Sequence, residues 1–203
     1  MRILKNELEN TNIEELVIVI DMVNGFVKEG ALAAPSIMRV VPRQIEILKE
    51  AIDNERKGII FIRDCHNRDA VEFKTFGPHC IEGTPETEVI DELSEFVSCF
   101  YKKNSTNFVF ADGFMNDINK LKKLRKVLLM GCLSEVCVKN GGIALRNLFD
   151  QLNKDVEVCV YEDAIDTYDA ENHNSEEVTN RALQDMESNG IKILRKVGKR
   201  CER

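Results

Sequence analysis

The chain has 203 residues, with 28 Lys and Arg against 35 Asp and Glu, so its formal charge at pH 7 is −7. Hydrophobic residues make up 43 %, which is enough for a packed core and excludes a disordered protein. The acidic balance argues against a nucleic-acid partner, because a phosphate backbone needs a basic surface. No apolar run approaches the roughly 20 residues of a membrane span, and the first residues show no export signal. We therefore expect a cytoplasmic protein that does not bind a membrane.

Cysteines are numerous but are not arranged as a paired motif. Seven occur, and no two of them form a CxxC pair; they stand at positions 65, 80, 99, 132, 137, 159 and 201. An odd number of cysteines without an export signal indicates reduced thiols, most of them buried. A zinc ribbon or a thioredoxin-type site is therefore not expected.

Six short apolar runs predict buried strands, because they are rich in β-branched residues. The predicted strands cover residues 15–21, 57–63, 96–100, 126–131, 156–160 and 191–194. Apolar residues at helical spacing predict helices over 36–55, 114–123, 136–152 and 175–189. Alternating strands and helices are typical of a parallel sheet that is covered by helices on both faces. We predict one α/β domain over residues 1–203, a three-layer α/β/α structure with a six-stranded, mainly parallel sheet.

The residues that follow the predicted strands are the candidates for a site, because open parallel sheets bind ligands at the carboxyl ends of their strands. In strand order they are Asp21, then Asp64-Cys65-His66, then Lys102 and Lys103, then the segment Gly131 to Cys137. The sequence thus predicts that an acid, a base, a cation and a cysteine lie at one edge of the sheet.

Cys137 is the candidate nucleophile among the cysteines. It is predicted at the start of the helix after the fourth strand, where unpaired N–H groups favour an anion. We therefore expect its thiol to ionise more easily than a free one, and the N–H groups of the same turn to bind an oxyanion. Asp21 is placed to take the thiol proton, and a lysine to stabilise the ionised pair. Each residue taken alone also fits an ordinary structural role.

The histidines suggest a metal site. Only His66, His79 and His173 occur, and Asp64 shares one face of an extended segment with His66. A carboxylate and two imidazoles suit zinc, iron or manganese, although ordinary loop residues have the same spacing. His173 is predicted to be a surface residue near the start of a helix.

Three segments resemble the motifs of the nicotinamidase/isochorismatase-like cysteine hydrolases. Ile20-Asp21-Met22-Val23-Asn24-Gly25-Phe26 is similar to the opening motif of that family. Gly131-Cys132-Leu133-Ser134-Glu135-Val136-Cys137-Val138 resembles its nucleophile loop, and Lys103-Asn104-Ser105-Thr106-Asn107 the lysine segment between the two. The resemblance extends from about residue 15 to residue 195, with the same spacings and strand order.

The resemblance implies a triad in which Asp21 is the base, Lys103 the electrostatic partner and Cys137 the nucleophile. It also implies a cis peptide bond between Cys132 and Leu133, which would turn the N–H groups of Leu133 and Cys137 toward the oxyanion. These roles are implied by the family motifs and not by the spacing of the residues.

The choice of the triad lysine stays open between two neighbours. Counting back from Phe108 favours Lys102. Counting forward to Gly131, together with the Asn-Ser-Thr-Asn sequence, favours Lys103. We take Lys103.

The resemblance also implies a divalent metal, because nicotinamidases bind one through an Asp-x-His segment and a later Pro-His segment. Asp64, His66 and His79 stand at the matching places. Zinc is expected first, with iron and manganese as alternatives. Glu72 stands where some members add a further acidic ligand. Such a metal would hold the ring nitrogen of the substrate rather than activate water.

Phe26 and Phe76 occupy the positions that flank the substrate ring in nicotinamidases. At Phe76 the family usually has Trp, and at Val23 and Gly25 it usually has Gln and Asp. These departures leave the class of hydrolase unchanged but weaken the assignment of nicotinamide as the substrate.

We therefore predict a nicotinamidase-type amidohydrolase that converts nicotinamide to nicotinate and ammonia through a cysteine thioester. One alternative is a related cysteine hydrolase that acts on another small amide or ureido compound. Another is a metal- or ligand-binding protein that keeps the fold without activity. The resemblance implies a homo-oligomer, but no stretch of the sequence identifies the interface.

Overall fold

The computed structural model describes residues 12–195, so Cys201 lies outside the described residues. A six-stranded sheet forms the centre of the molecule, in the order β3-β2-β1-β4-β5-β6, and all neighbouring strands are parallel. The strands are β1 (Glu15–Ile20), β2 (Lys57–Asp64), β3 (Phe100–Lys103), β4 (Lys126–Cys132), β5 (Glu157–Asp166) and β6 (Lys192–Leu194). The predicted six-stranded sheet is therefore confirmed.

Helices connect the strands. The α-helices are α1 (Asn24–Val27), α2 (Val41–Ile52), α3 (Phe73–Phe76), α4 (Asp91–Ser94), α5 (Phe114–Lys120), α6 (Lys139–Gln151) and α7 (Ser175–Ser188). Short 3₁₀ helices cover Pro35–Val40, Pro85–Thr87 and Phe108–Phe110, and a π-helix covers Ser134–Val138. Within residues 12–195, no helix is both long enough and apolar enough to cross a membrane.

Strand β1 separates two apolar cores. Leu16, Ile18 and Ile20 point into a core that includes residues of α5, α6 and α7. Val17 and Val19, which alternate with them, point into a second core that includes residues of α2. All five side chains are buried, which explains why the strand is a continuous apolar run. The helices cover both faces of the sheet, so the three-layer α/β/α architecture is confirmed.

The third strand begins four residues later than predicted. The prediction was 96–100, whereas β3 covers Phe100–Lys103 and pairs with β2 from Phe61↔Phe100 to Asp64↔Lys103. Phe96 lies in the turn after α4 and is buried in the second core. Apolar residues in a loop that packs on the core therefore have the same sequence pattern as a buried strand. The two candidate lysines are the last residues of β3 and do not follow it.

The helix predicted over 136–152 begins at Lys139, because the π-helix precedes it. The helix predicted over 36–55 is divided into the 3₁₀ helix Pro35–Val40 and α2. Pro42 stands in the first turn of α2, where a missing N–H group costs no hydrogen bond. The first of these differences matters for function, because it places Cys137 in the π-helix.

Gly131 allows β1 and β4 to lie close together at the edge that carries the candidate residues. Its φ is +127°, and a Cβ atom there would lie 2.0 Å from the carbonyl oxygen of Ile20. One residue further along, the thiol of Cys132, the last residue of β4, lies 3.1 Å from the carbonyl oxygen of Asp21, the residue after β1. The glycine therefore brings the end of β1 against the start of the nucleophile loop.

Candidate active site

Lys103 occupies the centre of a buried group of charges. Its Nζ atom lies 2.9 Å from Oδ2 of Asp21 and 2.6 Å from Oδ1 of Asp64. Lys102 points the other way, as alternate residues of a strand do, and its exposed Nζ atom lies 2.7 Å from Glu82. The structure therefore brings Lys103, and not Lys102, to Asp21.

Cys137 lies next to the same carboxylate. It is a buried residue of the π-helix Ser134–Val138, and its thiol lies close enough to Asp21 and Lys103 for their charges to act on its pKa. The peptide bond between Cys132 and Leu133 is cis, as the family resemblance implies. Cys137, Asp21 and Lys103 thus form one contiguous buried cluster, in the arrangement expected for a nucleophile, a base and a cation.

The electrostatics of the cluster follow from its burial. Burial raises the pKa of Asp21 to about 6, and Asp64 adds to this, against the opposing effect of Lys103. Burial would favour the neutral amine of Lys103, but the two carboxylates raise its pKa well above the ordinary value. Lys103 is therefore a permanent cation between two acids.

The electrostatics of the free site oppose the expectation that the Cys137 thiol ionises easily. Burial raises its pKa well above the ordinary value, and the negative charges of Asp21 and Asp64 add to this, while Lys103 opposes them. The expectation rested on a helix N-terminus, and Cys137 does lie in the first helical turn, in the π-helix that runs into α6; burial and the two acids act against ionisation there. A thiolate of Cys137 would therefore have to be formed by transfer of the proton to a neighbouring base.

Asp64, His66 and His79 form a second buried group, which could hold a metal ion. Oδ2 of Asp64 lies 2.9 Å from Nε2 of His66 and 3.1 Å from Nε2 of His79, and the two Nε2 atoms are 3.2 Å apart. Oε1 of Glu72 lies 3.9 Å from Nε2 of His66. The predicted metal ligands are thus together, with Glu72 at their side.

The donor set of this group fits a divalent cation. Nδ1 of His79 lies 2.8 Å from the carbonyl oxygen of Gly77, and Nδ1 of His66 lies 2.8 Å from Oδ1 of Asn104. With a proton on each Nδ1, these acceptors receive it, and both rings then present the lone pair of Nε2 to the Asp64 carboxylate. Three acceptors at this distance repel one another unless a proton or a metal cation lies between them.

Neighbouring side chains stabilise the negative charge of Asp64 in the Asp-His-His group. Burial would favour the protonated acid at Asp64, but Lys103 and the two histidines keep its pKa well below the usual range. Burial opposes protonation of His66, yet the hydrogen bond to Asp64 raises its pKa. An ionised carboxylate with two imidazoles is the ligand type that zinc, iron and manganese share.

Aromatic rings surround the two histidines. The centroid of the Phe26 ring lies 5.6 Å from that of the His79 ring. Phe73 lies 5.2 Å from the ring of His66 and 5.6 Å from that of His79. Phe76 is 41 % exposed. Phe73 could not be identified from the sequence, since a helix of one turn gives no apolar periodicity that shows the direction of its side chain.

Glu135, in the nucleophile loop, was also missed. Its Oε1 atom accepts a hydrogen bond of 3.0 Å from the Thr167 hydroxyl and lies 3.2 Å from Nε2 of His173. The His173 ring stacks on Tyr168 with the centroids 3.8 Å apart. His173 therefore contacts the nucleophile loop through Glu135, and the metal group does not include it. No spacing in the sequence indicates this contact.

Known proteins resemble the chain over most of its length. The Isochorismatase domain family matches residues 15–191. Nicotinamidase 1 of Arabidopsis thaliana is 28 % identical over 181 residues, which cover 80 % of this chain and 73 % of that protein. The relatives of this chain therefore include a nicotinamidase.

Solved structures agree with the fold. The pyrazinamidase of Pyrococcus horikoshii in complex with zinc has a TM-score of 0.70 at 26 % identity, over 90 % of this chain and 99 % of that one. The N-carbamoylsarcosine amidase of Thermoplasma acidophilum has a TM-score of 0.68 at 23 % identity, over 93 % and 99 %. With its matching domain, its parallel sheet and its Asp21–Lys103–Cys137 cluster, the chain belongs to the isochorismatase family, in which a nicotinamidase branch is found.

Proposed function

We propose that the protein is a nicotinamidase-type amidohydrolase that converts nicotinamide and water to nicotinate and ammonia. The observation that carries this proposal is the position of Lys103, which joins a thiol–carboxylate pair to an Asp-His-His group in one buried site. The names of the Arabidopsis nicotinamidase and the zinc-bound pyrazinamidase support it.

The first half of the reaction uses Cys137 and Asp21. Asp21 takes the proton from the thiol as the sulfur attacks the carboxamide carbon. The carbonyl oxygen becomes an oxyanion, which the N–H groups of Leu133 and Cys137 stabilise. The carbon–nitrogen bond then breaks, and the proton held on Asp21 passes to the departing nitrogen, so that ammonia leaves and a thioester remains on Cys137.

The second half restores the enzyme. Asp21, again a carboxylate, takes a proton from water as its oxygen attacks the thioester carbon. The carbon–sulfur bond breaks and the sulfur regains the proton from Asp21, so that nicotinic acid is released; it loses its own proton to the ammonia in solution and becomes nicotinate. The pKa of Asp21, raised to about 6 by burial, suits a group that alternately accepts and donates a proton near neutral pH.

Lys103 reduces the electrostatic free-energy cost of keeping charged groups in the buried site during the reaction. Its charge stays close to Asp21 and Asp64 throughout, so neither carboxylate is left unpaired in the buried site. Asp64, His66 and His79 would hold the divalent metal, with zinc the first choice and Glu72 beside them. When bound, the metal supplies a Lewis acid for the ring nitrogen of the substrate, and the ring would lie against Phe26.

A related hydrolase for another small amide or ureido compound is the second candidate. It is favoured by Gly25, where a Cβ atom would lie 2.6 Å from the thiol of Cys80 and 3.0 Å from Cβ of Glu86. The segment around Cys80 therefore packs into the space of a side chain at position 25. The N-carbamoylsarcosine amidase among the structural neighbours is named for a substrate of this second type.

The test is to incubate the protein with nicotinamide and to measure ammonia and nicotinate, with and without a chelator. We expect release that falls with the chelator and is lost in Cys137→Ala. Cys159→Ala is the matched control, because Cys159 is a buried thiol of β5. Release from Cys137→Ala at the wild-type rate would contradict the cysteine mechanism. No release from nicotinamide, but turnover of a ureido compound, would support the second candidate.

The expected environment of the protein belongs to the same proposal. We propose a cytoplasmic homo-oligomer that acts in NAD salvage, with a small amide substrate and neither nucleic acid nor a membrane as its partner. The net charge of −7 supports the absence of a nucleic-acid partner. Sedimentation velocity tests the oligomeric state.

A further inference from the structure

We propose that Asn104 is a positioning residue, which fixes the tautomer of His66 so that Nε2 is free to bind the metal. This inference rests on the proposed metal site. It assigns a role to a residue that neither belongs to the triad nor supplies a ligand atom to the Asp-His-His group.

The geometry at the end of β3 places Asn104 beside the Asp-His-His group. Lys103, the last residue of β3, reaches Asp21 and Asp64. Asn104 follows it directly, and its side-chain oxygen lies 2.8 Å from Nδ1 of His66. The His66 ring is fully buried, with its other nitrogen facing Asp64 at 2.9 Å.

The tautomer of His66 decides whether that nitrogen can bind a metal. A neutral imidazole carries its proton on Nδ1 or on Nε2, and only the nitrogen without the proton is a ligand. The amide oxygen of Asn104 accepts a hydrogen bond from Nδ1–H, which keeps the lone pair on Nε2. Outer partners of this kind also orient the ring and raise the basicity of the ligand.

His79 provides an internal comparison. Its Nδ1 atom has the backbone oxygen of Gly77 at 2.8 Å as its acceptor, which no side-chain substitution removes. The corresponding acceptor of His66 is a side chain and can be exchanged. Asn104 is exposed at the protein surface, so a substitution there leaves no cavity in a core. The effect on the metal can therefore be measured in a folded protein.

The experiment compares zinc affinity in Asn104→Leu, Asn104→Asp and the wild type, by competition with a chromophoric chelator. Leucine has a similar size and no acceptor, whereas aspartate keeps an acceptor oxygen. We expect zinc binding to weaken by about 10-fold or more in Asn104→Leu and to stay close to the wild type in Asn104→Asp. Asn140→Leu is the matched control, because Asn140 is an exposed residue of α6.

Nitrogen NMR of the imidazole rings gives a second readout that a merely structural role would not change. The chain contains three histidines, so three ring systems have to be assigned. In the zinc-loaded wild type, we expect His66 to carry its proton on Nδ1 and to show the shift of a metal-bound nitrogen at Nε2. We expect the same spectrum in Asn104→Asp, whereas in Asn104→Leu at the same free zinc concentration a fraction of His66 should carry its proton on Nε2.

The outcomes separate this inference from the proposed metal site. If the wild type fails to bind zinc, the metal site itself is wrong, and the role of Asn104 falls with it. If the wild type binds zinc and Asn104→Leu binds it as tightly as Asn140→Leu, the metal site stands and the role of Asn104 is overturned. If Asn104→Leu does not fold, a loss of zinc affinity in the acceptor-bearing Asn104→Asp overturns it, and retained affinity with the Nδ1–H tautomer supports it.

Discussion

The ammonium group of Lys103 lies 2.6 Å from Oδ1 of Asp64, so the cation beside the nucleophile pair also contacts a residue of the metal group. The same Nζ atom lies 2.9 Å from Asp21. One buried cation thus pairs with two buried acids that belong to different parts of the site. Removing it would leave Asp21 without a cation and Asp64 with only the two histidines, which costs far more than losing a surface charge.

Lys103→Met is therefore expected to lower the free energy of unfolding by about 3–5 kcal/mol, as found when one partner of a buried ion pair is removed. Urea denaturation measures this change. Lys102→Met is the control, because Lys102 is exposed and pairs with the exposed Glu82; its effect should be within about 0.5 kcal/mol. Equal losses in the two variants would contradict the central position that we assign to Lys103.

Zinc is expected to stabilise the folded protein against heat. A ligand at about 100 times its Kd, bound only by the folded state, adds about 2.7 kcal/mol to the free energy of unfolding. We expect Tm to rise with zinc in the wild type and to stay constant in His66→Ala. In His173→Ala, the matched control, the rise should remain, because His173 contacts Glu135 and lies outside the metal group. A zinc-dependent rise in His66→Ala would exclude Asp64, His66 and His79 as the binding group.

Gly131→Ala is expected to destabilise the protein by about 4 kcal/mol or more, the range of the most severe substitutions. The reason is the contact of 2.0 Å between the added Cβ atom and the Ile20 carbonyl oxygen, which neither backbone can avoid. Gly83→Ala is the matched control, since Gly83 also has a positive φ, +84°, but no atom within 4 Å of the added carbon. Its cost should be only that of the backbone conformation, about 1–2 kcal/mol.

The Gly131 prediction is checked by denaturant unfolding of both glycine variants. Similar losses would mean that φ alone, and not the approach of β1 to β4, requires a glycine at position 131.

The alkylation of Cys137 by iodoacetamide should depend steeply on pH. Because burial raises the pKa of this thiol well above the ordinary value, its thiolate fraction increases through the range from about pH 6 to pH 9 without levelling off. Peptide mapping by mass spectrometry distinguishes Cys137 from the other cysteines. A plateau near neutral pH would show that the thiol is already ionised in the free enzyme.

Asp21→Asn is expected to have opposite effects on the ionisation of the Cys137 thiol and on catalytic turnover. The negative charge of Asp21 raises the pKa of Cys137, so its removal should lower that pKa and speed alkylation at a given pH. The same variant should lose turnover, because the base has been removed. Slower alkylation together with lost turnover would mean that Asp21 activates the thiol already in the free site.

Much of the sheet could be predicted because a strand that is buried on both faces must be apolar at every position, as β1 is from Leu16 to Ile20. The third strand could not be located in this way. Phe96 and Phe100 are both apolar, and only the pairing of Phe100 with Phe61 shows which of them belongs to a strand. Local composition does not contain that long-range pairing.

Some features of the candidate site could likewise be predicted from the sequence, and others could not. Asp21, Asp64 and Cys137 could be predicted, since the carboxyl ends of neighbouring parallel strands meet at one edge. The raised pKa of Cys137 could not, because it depends on how completely the surrounding chain encloses the thiol. Phe73 and Glu135 were missed for a related reason: their contacts depend on the direction of a side chain in a short turn.

The strand order has a consequence for fragments of the chain. Asp21 directly follows β1, and Asp64 and Lys103 end β2 and β3, whereas Cys137 follows β4, which pairs with β1 at the middle of the sheet. A cut between α5 and β4 would therefore leave the acids and the cation in one piece and the sulfur in the other. Neither piece alone would hold a reactive centre, and the centre would be rebuilt only when β4 aligns with β1 again, so that complementation of the two pieces reports directly on assembly of the sheet.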